Sequence, residues 1–367
     1  MNTKINIGII GATGMVGQTF IKLLENHPWF VVTYLAASES SAGKRYAEAV
    51  QNRWHMSCEL PDYVKDIVVE DASKVEKAIG KCTLVFCAVN LPKDEVKVME
   101  AAYASIGFAV ISANSAYRLN QDVPMLIPEI NYEHVNIIPV QQKNNGWKDG
   151  FIAVKPNCSI QSYMIPLHAL LVKGYKIRKM ILTTLQGLSG AGYPGPSAFD
   201  LIDNVIPLIK GEEEKSEIEP QKIFGFLENG QIVNNTSMAI SAHCTRVPVL
   251  DGHTVCVSVE FEGKKPTEAE IKDCWNNYRS IPLELGLPSA PQKTIIYKEE
   301  MDRPQPRKDR DNGKGMAITV GRLRPCNVFD YRFVGLSHNT VRGAAGGAIL
   351  MAELVVAKGF VKGVTVD

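Results

Sequence analysis

The sequence lacks three features that would place it in other protein classes. It has 40 basic and 39 acidic residues and a net charge of +1, so we expect neither nucleic acid nor an anionic membrane as a partner. No apolar run is long enough to span a bilayer. The eight cysteines contain no CxxC pair and no Cys/His spacing typical of a metal site. We therefore expect a reduced, cytoplasmic protein that binds no metal.

The N-terminal segment has the order of a dinucleotide site. An apolar strand at residues 5–10 is followed by a glycine-rich turn and by a helical pattern at residues 18–25. Gly11 permits the tight turn, Gly14 lets backbone amides approach a pyrophosphate, and Gly17 lets the helix pack closely on its strand. The spacing is GxxGxxG instead of the commoner GxGxxG. The residues of the turn that we expect to bind the cofactor are Gly11, Thr13, Gly14, Met15, Val16 and Gly17.

The residues after the second predicted strand, at 31–37, distinguish NAD from NADP. An acid at this point would bind the ribose 2′-hydroxyl of NAD, whereas hydroxyls and cations suit a 2′-phosphate. Glu39 favours NAD. The residues that favour NADP are Ser38, Ser41, Lys44 and Arg45. We expect NADP, because four candidate phosphate ligands outweigh one acid.

Strands and helices alternate through the rest of the first half. Predicted strands at residues 67–69, 84–89 and 108–112, with a helix at 93–104, indicate a doubly wound parallel sheet. Asn90 and Ser112 follow or end strands, where such sheets bind ligands. Both are therefore expected to contact the cofactor.

The second half has a different pattern. Strands with period-two character are predicted at residues 177–186, 255–262, 320–323 and 329–336, and helices at 198–209 and 268–279. This indicates a mixed α+β domain on a largely antiparallel sheet. Residues 301–314 are expected to form an irregular loop or interface arm. A last helix over 339–358, capped by Asn339 and Thr340, is expected to return to the first domain.

These patterns predict an α/β protein of two domains. Residues 1–157 and 340–367 are expected to form a Rossmann-like NADP-binding domain with a doubly wound sheet. Residues 158–339 are expected to form an α+β catalytic and dimerisation domain.

Cys158 lies at the predicted boundary between the two domains. It follows a short predicted strand at residues 151–154 and precedes a helical pattern that begins at Ser159. Amide groups at a helix N-terminus stabilise an anion, so we expect a lowered pKa for this thiol. The alternative is a small buried hydrophobic residue.

Six motifs follow one another along nearly the whole chain. They are GATGMVG at residues 11–17, PNCS at 156–159, LQGLSGAG at 185–192, GEEEK at 211–215, TRVPVLDGH at 245–253 and HNTVRGAAGG at 338–347. In this order the sequence resembles the aspartate-β-semialdehyde dehydrogenases, specifically their archaeal and fungal-like branch. The resemblance implies NADP-dependent, phosphate-requiring interconversion of L-aspartate 4-semialdehyde and L-4-aspartyl phosphate, in the biosynthesis of lysine, threonine and methionine. It also implies a homodimer or homotetramer.

The resemblance also implies roles for individual residues. Cys158 is the nucleophile, Gln186 orients the bound intermediate, and His253 is the acid/base. The substrate-binding residues are Arg246 for the carboxylate, Glu212 for the amino group, Lys215 and Arg118 for inorganic phosphate, and Asn157. Further cofactor contacts are Ser189, Gly190 and Asn339. The chemistry suits these types, because a thiolate can both attack and leave and a histidine can accept a proton near neutral pH.

Other interpretations remain open from the residues. His243 and Cys244 form a rival acid/base and thiol pair, and the glutamate run at 211–215 is also typical of a solvated helix start. Glyceraldehyde-3-phosphate dehydrogenase and N-acetylglutamyl-phosphate reductase share the two-domain plan. The first differs around the cysteine and in the placement of the histidine, and the second lacks TRVPVLDGH. A CoA-thioester reductase of the malonyl-CoA type and a non-catalytic NADP-binding scaffold are further alternatives.

Overall fold

Two six-stranded sheets and a small two-stranded sheet organise the molecule. The computed structural model describes residues 4–364. The first large sheet is formed by the first half of the chain and the second by residues after 175. This arrangement confirms the predicted α/β fold class.

The first sheet is parallel throughout. Its strands are β1 (Ile5–Ile10), β2 (Phe30–Ala37), β3 (Val69–Asp71), β4 (Leu84–Cys87), β5 (Ala109–Ser112) and β6 (Phe151–Val154). Their order is β3-β2-β1-β4-β5-β6, so the strand order reverses between β1 and β4, where such sheets bind ligands. The strand predicted at 67–69 is displaced, because Val68 forms an isolated antiparallel bridge with Arg45 and β3 begins at Val69.

Helices cover both faces of this sheet. They are α1 (Met15–Leu24), α2 (Tyr46–Ala49), α3 (Lys93–Ser105), α4 (Pro128–Asn131) and α5 (Ile138–Asn145). Phe20 of α1 packs in one apolar core and Tyr103 of α3 in the other. The sheet is therefore doubly wound, as predicted.

The second half supplies a mixed sheet. The strands of this half are β7 (Lys176–Gln186), β8 (Phe226–Glu228), β9 (Gln231–Val233), β10 (Ala239–Arg246), β11 (His253–Glu262), β12 (Ile295–Lys298), β13 (Ile318–Pro325) and β14 (Tyr331–Ser337). Strands β8 and β9 form the small two-stranded sheet. The large sheet has the order β10-β7-β11-β14-β13-β12. The β10–β7 and β12–β13 pairs are parallel and the other three pairs antiparallel.

The helices of this half pack mainly on one face of the mixed sheet. They are α6 (Gln161–Leu171), α7 (Ala198–Leu201), α8 (Glu212–Ile223), α9 (Glu268–Asn276), α10 (Ile281–Glu284) and α11 (Pro306–Asp309). Helix α6 contacts β11, β13 and β14, and α9 contacts β12. The opposite face carries exposed side chains on β7, β10 and β11.

The predicted helix at 198–209 is wrong beyond its first turn. Helix α7 ends at Leu201, and Ile206 then forms a bridge with Arg246 of β10. The apolar residues that suggested a longer helix, Ile202, Val205 and Leu208, are all exposed. Their helical spacing therefore does not indicate a helix face that packs on the core of this chain.

The segment at 301–314 is more ordered than an irregular loop. It contains α11, and Asp309 of that helix is buried and ion-paired with Arg303. This ion pair joins two parts of the segment, and Asn312 donates to the hydroxyl of Thr319 of β13 at 3.0 Å, which links the segment to the second sheet.

The C-terminal helix returns to the first domain, as predicted. A π-helical turn, Val341–Ala345, leads into α12 (Gly346–Ala357), which packs in the same core as α1. Thr340 is at the N-cap position, as predicted, but its side chain makes no capping hydrogen bond, and the Asn339 side chain bonds Ser189 and Gly252 instead. Within residues 4–364, no helix is both long and apolar enough to cross a membrane.

Candidate active site

The glycine turn lies at the reversal point of the first sheet. Gly11 has φ +86°, and a Cβ there would lie 2.5 Å from the carbonyl oxygen of Ala88. A Cβ on Gly17 would lie 2.3 Å from the carbonyl oxygen of Gly11, so both positions require glycine. Gly14 has no such close neighbour, which leaves space beside the start of α1.

A cleft of about 300 Å³ opens beside this turn. Five of the predicted cofactor residues line it, namely Gly11, Thr13, Gly14, Ser38 and Asn90, together with Asp71 and Ser73. Met15, Val16 and Gly17 form the first turn of α1 behind it. Ser112 differs, because its hydroxyl is buried and donates to Glu100. Its side chain does not line the cleft.

Three residues expected to bind a 2′-phosphate are buried or already bonded within the protein. Ser41 is buried, and Lys44 donates to the carbonyl of Ser40 at 2.8 Å. Arg45 is ion-paired with Asp66 at 2.9 Å. Arg53, which sequence reasoning missed, donates to the Ser41 hydroxyl at 3.3 Å. Arg53 is twelve residues from Ser41 in the sequence, so no short motif indicated that the two side chains would meet.

A second cluster surrounds Cys158. Its Sγ lies 3.3 Å from Nε2 of His253, and His253 begins β11 opposite Gln186 of β7. The backbone N–H of Gly187 donates to Nδ1 of His253 at 3.1 Å. This bond leaves Nε2 facing the sulfur. Cys158 and His253 are thus brought together as predicted, 95 residues apart in sequence.

His253 does not keep the ordinary pKa of a histidine. Burial, and next the charge of Arg246, lower its pKa to about 3. A protonated ring carries hydrogens on both nitrogens and could not accept the Gly187 bond. The imidazole is therefore neutral at physiological pH.

The lowered pKa predicted for Cys158 is wrong. Burial, and next the charge of Glu212, raise the pKa of this thiol to about 11, against the opposite effects of Lys155 and two arginines. Cys158 lies in a turn, three residues before the start of α6. The backbone N–H of the next residue, Ser159, donates to the Asn157 side chain and is therefore not free to stabilise a thiolate. Desolvation therefore outweighs any effect of the helix N-terminus.

Arg246 lies beside His253 at the end of β10. It is buried and donates to the carbonyl of Gly187 at 2.6 Å. It has no carboxylate partner within residues 4–364, which leaves its guanidinium donors available for a ligand. A Cβ on Gly190 would lie 2.9 Å from Nη1 of Arg246 and 3.0 Å from Cε1 of His253, so the 187–192 loop packs directly on both.

The other two predicted cofactor contacts, Ser189 and Asn339, lie in the same region. The Asn339 side chain donates to the Ser189 hydroxyl and accepts from the Gly252 N–H, each at 2.7 Å. These bonds connect the start of the C-terminal segment to the loop over His253. Contact of Ser189, Gly190 and Asn339 with a cofactor stays a prediction.

Glu212 joins the remaining substrate residues. Its carboxylate accepts from Asn157 at 2.8 and 2.9 Å, from Lys215 at 2.8 Å and from Gln186 at 3.3 Å. Burial raises the pKa of Glu212, but the combined effect of these donors is larger and opposite, so the pKa lies below the ordinary value of a glutamate. The buried carboxylate is thus ionised. A solvated surface helix would not have this arrangement.

Arg118 reaches the nucleophile turn through a glutamate that the sequence analysis did not identify. Glu219 accepts from Arg118 at 2.8 Å and from the backbone N–H of Asn157 at 2.6 Å. Glu219 follows Glu212 by seven residues on α8, so a shared helix face was the available signal. Nε of Arg118 is buried without a partner in the described part of the chain and can donate to an anion.

The rival pair does not form a site. His243 and Cys244 are neighbours on β10, so their side chains point to opposite faces of the sheet. His243 is exposed, whereas Cys244 is fully buried. Within residues 4–364, no group of three or more His, Cys, Asp or Glu side chains is arranged to hold a metal ion.

The comparison with known proteins agrees with this geometry. Residues 6–138 match the family model "Semialdehyde dehydrogenase, NAD binding domain" and residues 167–342 match "Semialdehyde dehydrogenase, dimerisation domain". An aspartate-semialdehyde dehydrogenase of Archaeoglobus fulgidus is 47% identical, over 96% of this chain and 98% of the relative. One of Trichophyton rubrum is 41% identical, over 98% and 99%.

A solved structure gives the same result. The crystal structure of the aspartate semialdehyde dehydrogenase of Candida albicans with NADP has a TM-score of 0.87 and 39% identity, covering 98% of this chain and 100% of the other. The archaeal and fungal relatives confirm the branch inferred from the motifs. This chain belongs to the aspartate-semialdehyde dehydrogenase family.

Proposed function

We propose that the protein interconverts L-aspartate 4-semialdehyde and L-4-aspartyl phosphate with NADP and inorganic phosphate, through a thioester on Cys158. The observation that carries this proposal is the 3.3 Å contact between Cys158 Sγ and His253 Nε2, with Arg246 and Glu212 beside it. The names of the relatives support the reaction.

Two charged groups are suited to the two ends of an amino-acid substrate. Arg246 can bind a carboxylate through two parallel N–H donors. The ionised Glu212 can accept from a substrate ammonium, in exchange for one of its present donors. Asn157 and Gln186 hold Glu212 in place, so the substrate is oriented with its aldehyde carbon at Cys158.

The covalent steps follow from this placement. The thiolate of Cys158 adds to the aldehyde carbon and gives a thiohemiacetal. NADP, when bound, supplies the hydride acceptor that turns this adduct into a thioester. With Nδ1 accepting the Gly187 N–H, the neutral ring carries its hydrogen on Nε2. For Nε2 to accept the hydroxyl proton of the adduct, the Gly187 bond must open and the ring hydrogen must move to Nδ1.

The last step needs a place for inorganic phosphate. Arg118 and Lys215 lie on two sides of the nucleophile turn, because each is paired with a glutamate that also bonds Asn157. The unpartnered Nε of Arg118 and the half-buried Lys215 ammonium are suited to a phosphate dianion. Attack of phosphate on the thioester carbon releases the Cys158 thiolate and the acyl phosphate.

The residues of the glycine turn fit a dinucleotide. The close approaches at Gly11 and Gly17 form the tight turn, and Gly14 leaves its amide side open at the N-terminus of α1. Ser38 and Ser41, with Lys44 and Arg53 nearby, can bind a 2′-phosphate. This supports NADP over NAD.

The domain division supports this function. Residues 1–157 and 340–367 form the NADP-binding unit in this proposal, and residues 158–339 the catalytic and dimerisation unit. Cys158 lies at their junction, so the thiol faces a cofactor bound to one unit and a substrate bound to the other. A cytoplasmic location remains our prediction.

The assembly is at least a homodimer in this proposal, through the uncovered face of the second sheet. Ile181 of β7 and Cys256 of β11 are exposed on that face, and the matched dimerisation family model spans it. Sedimentation velocity at micromolar concentration should show a dimer or tetramer. Ile181→Glu should shift it toward monomer, and a monomeric wild type would contradict the proposal.

The reaction is tested by NADPH formation from L-aspartate 4-semialdehyde and NADP. Phosphate should be required for turnover, and Cys158→Ser should abolish it. Activity that depends on CoA in place of phosphate would favour a CoA-thioester reductase, and NADP binding without turnover under any condition would favour a scaffold.

A further inference from the structure

Lys155 lies in the loop that carries Cys158. Its side chain is buried, with 2% exposure, and its backbone N–H donates to the carbonyl of Ser112 at 2.8 Å. Within residues 4–364 its Nζ bonds only the carbonyl of Pro156, at 3.1 Å, although an ammonium has three donors. Burying a poorly bonded cation is costly, so packing alone does not account for it.

Neighbouring buried cations have partners of a different kind. Arg118 and Arg342 each pair with a glutamate. Lys222 donates to three backbone carbonyls. Lys155 has no carboxylate within ion-pair distance in the described chain, and Cys158 lies three residues further along the same buried loop.

The C-terminal segment fixes both side chains. A Cβ on Gly343 would lie 2.7 Å from Cβ of Cys158, and one on Gly347 would lie 2.9 Å from Cε of Lys155. The two glycines, four residues apart, thus form one surface against both residues. Neither side chain can move toward this segment without displacing it.

Charges around Lys155 act in both directions. Burial lowers its pKa to about 7; Cys158 raises it, Arg118 and Arg342 lower it, and Glu219 raises it. A group near this value is in exchange between its two forms at neutral pH, and a negative charge on Cys158 favours the ammonium.

The effect on Cys158 is reciprocal. Lys155 is the foremost cation lowering the pKa of this thiol, ahead of Arg118 and Arg246, whereas Glu212 raises it. His253 faces Sγ at 3.3 Å but is neutral. Of the three cations that lower the pKa of the thiol, Lys155 is the one whose charge can change near neutral pH, because its own pKa is about 7 and arginine stays protonated.

We propose that Lys155 is a positioning residue whose ammonium stabilises the thiolate of Cys158. The inference rests on the proposed role of Cys158 as nucleophile. Ionisation moves the Sγ proton to water, since Nε2 of His253 already carries a hydrogen, and no bond to Lys155 forms or breaks. Because thiolate and ammonium stabilise each other, the two groups titrate as a coupled pair.

The test is the pH dependence of iodoacetamide alkylation, read by mass spectrometry on the peptide that contains Cys158. Lys155→Met should slow alkylation at pH 7 about tenfold or more, and should raise the apparent pKa of the thiol by about one unit or more. The limiting rate at high pH should not change. Lys155→Arg keeps the charge and should stay within a few-fold of wild type.

Lys222→Met is the matched control, since it removes a buried lysine that does not act on the thiol. It should lower thermal stability and leave the alkylation profile as in wild type. If Lys155→Met does not fold by circular dichroism, Lys155→Gln takes its place.

Two results would overturn the inference: an unchanged profile when the charge is removed, or the same shift in Lys155→Arg as in Lys155→Met. Failure of the proposed function looks different. Cys158→Ala would then retain turnover, whatever the alkylation profile of wild type.

Discussion

At the scale of single residues, the site combines a neutral thiol with a neutral imidazole. Burial is the first cause of both shifts, raising the pKa of Cys158 to about 11 and lowering that of His253 to about 3. The charges that oppose burial at Cys158 come from Lys155, Arg118 and Arg246. Substrate binding that neutralises the charge of Glu212 would favour the thiolate, because that charge raises the pKa of the thiol.

Replacing His253 should separate proton exchange from nucleophilicity. His253→Asn should lower kcat by roughly 10²–10⁴-fold, because it removes the group that exchanges the adduct proton. Alkylation of Cys158 should continue. His243→Asn is the matched control and should keep wild-type kcat, since His243 is exposed on β10. Loss of activity only in His243→Asn would show that the wrong histidine was chosen.

Sequence reasoning identified the residue types at the site but not their environment. Cys158 and His253 were found from motifs, and the structure brings them within 3.3 Å. The direction of the thiol pKa was wrong, because desolvation depends on segments far away in sequence. Lys155 was given no role because a single buried charge has no local pattern, and Glu219 was missed although it shares a helix face with Glu212.

At the scale of elements, the 187–192 loop controls the geometry of two functional side chains. Gly190→Ala would place a Cβ 2.9 Å from Nη1 of Arg246 and 3.0 Å from Cε1 of His253, so one of these side chains must move. We expect kcat/KM to fall by about tenfold or more, with little change in thermal stability, because the loop is partly exposed.

Ala191→Gly is the control for this loop, since it changes flexibility without adding atoms near the site. Steady-state kinetics and a thermal melt on both variants make the comparison. Wild-type kinetics in Gly190→Ala would contradict the close packing of the loop on His253.

The elements that sequence reasoning predicted well are those with continuous apolar strands and glycine turns. Strand β1 and the turn at Gly11 were found because buried parallel strands and positive φ leave clear patterns. The helix expected at 198–209 was wrong beyond Leu201, where the apolar residues Ile202, Val205 and Leu208 face solvent. Such residues suit an interface between chains, which a helical pattern cannot distinguish from a core.

At the scale of the whole molecule, buried histidines link stability to pH. Burial lowers the pKa of His168 to about 4 and that of His253 to about 3, and also lowers that of His134. The unfolded value is about 6.5, so below it the unfolded state binds more protons. Stability should fall as pH falls from about 6.5 toward 3.

Urea unfolding at several pH values tests this linkage. Between pH 7 and pH 4, the free energy of unfolding of His168→Gln should decrease by roughly 1–3 kcal/mol less than that of wild type. This difference does not depend on the effect of the substitution on stability at pH 7. His243→Gln should keep the wild-type slope. If the free energy of unfolding of His168→Gln depends on pH as strongly as that of wild type, the ring of His168 is not buried in its neutral form.

The central claim is a thioester on Cys158 that phosphate then cleaves. The most direct measurement mixes enzyme, NADP and L-aspartate 4-semialdehyde without phosphate, follows NADPH in the first turnover, and determines the mass of the Cys158 peptide after acid quench. The account predicts a burst of about one NADPH per active site, an aspartyl group on Cys158, and its loss when phosphate is added. NADPH formed in a burst by Cys158→Ala, or an unmodified Cys158 peptide after the burst in wild type, would contradict it.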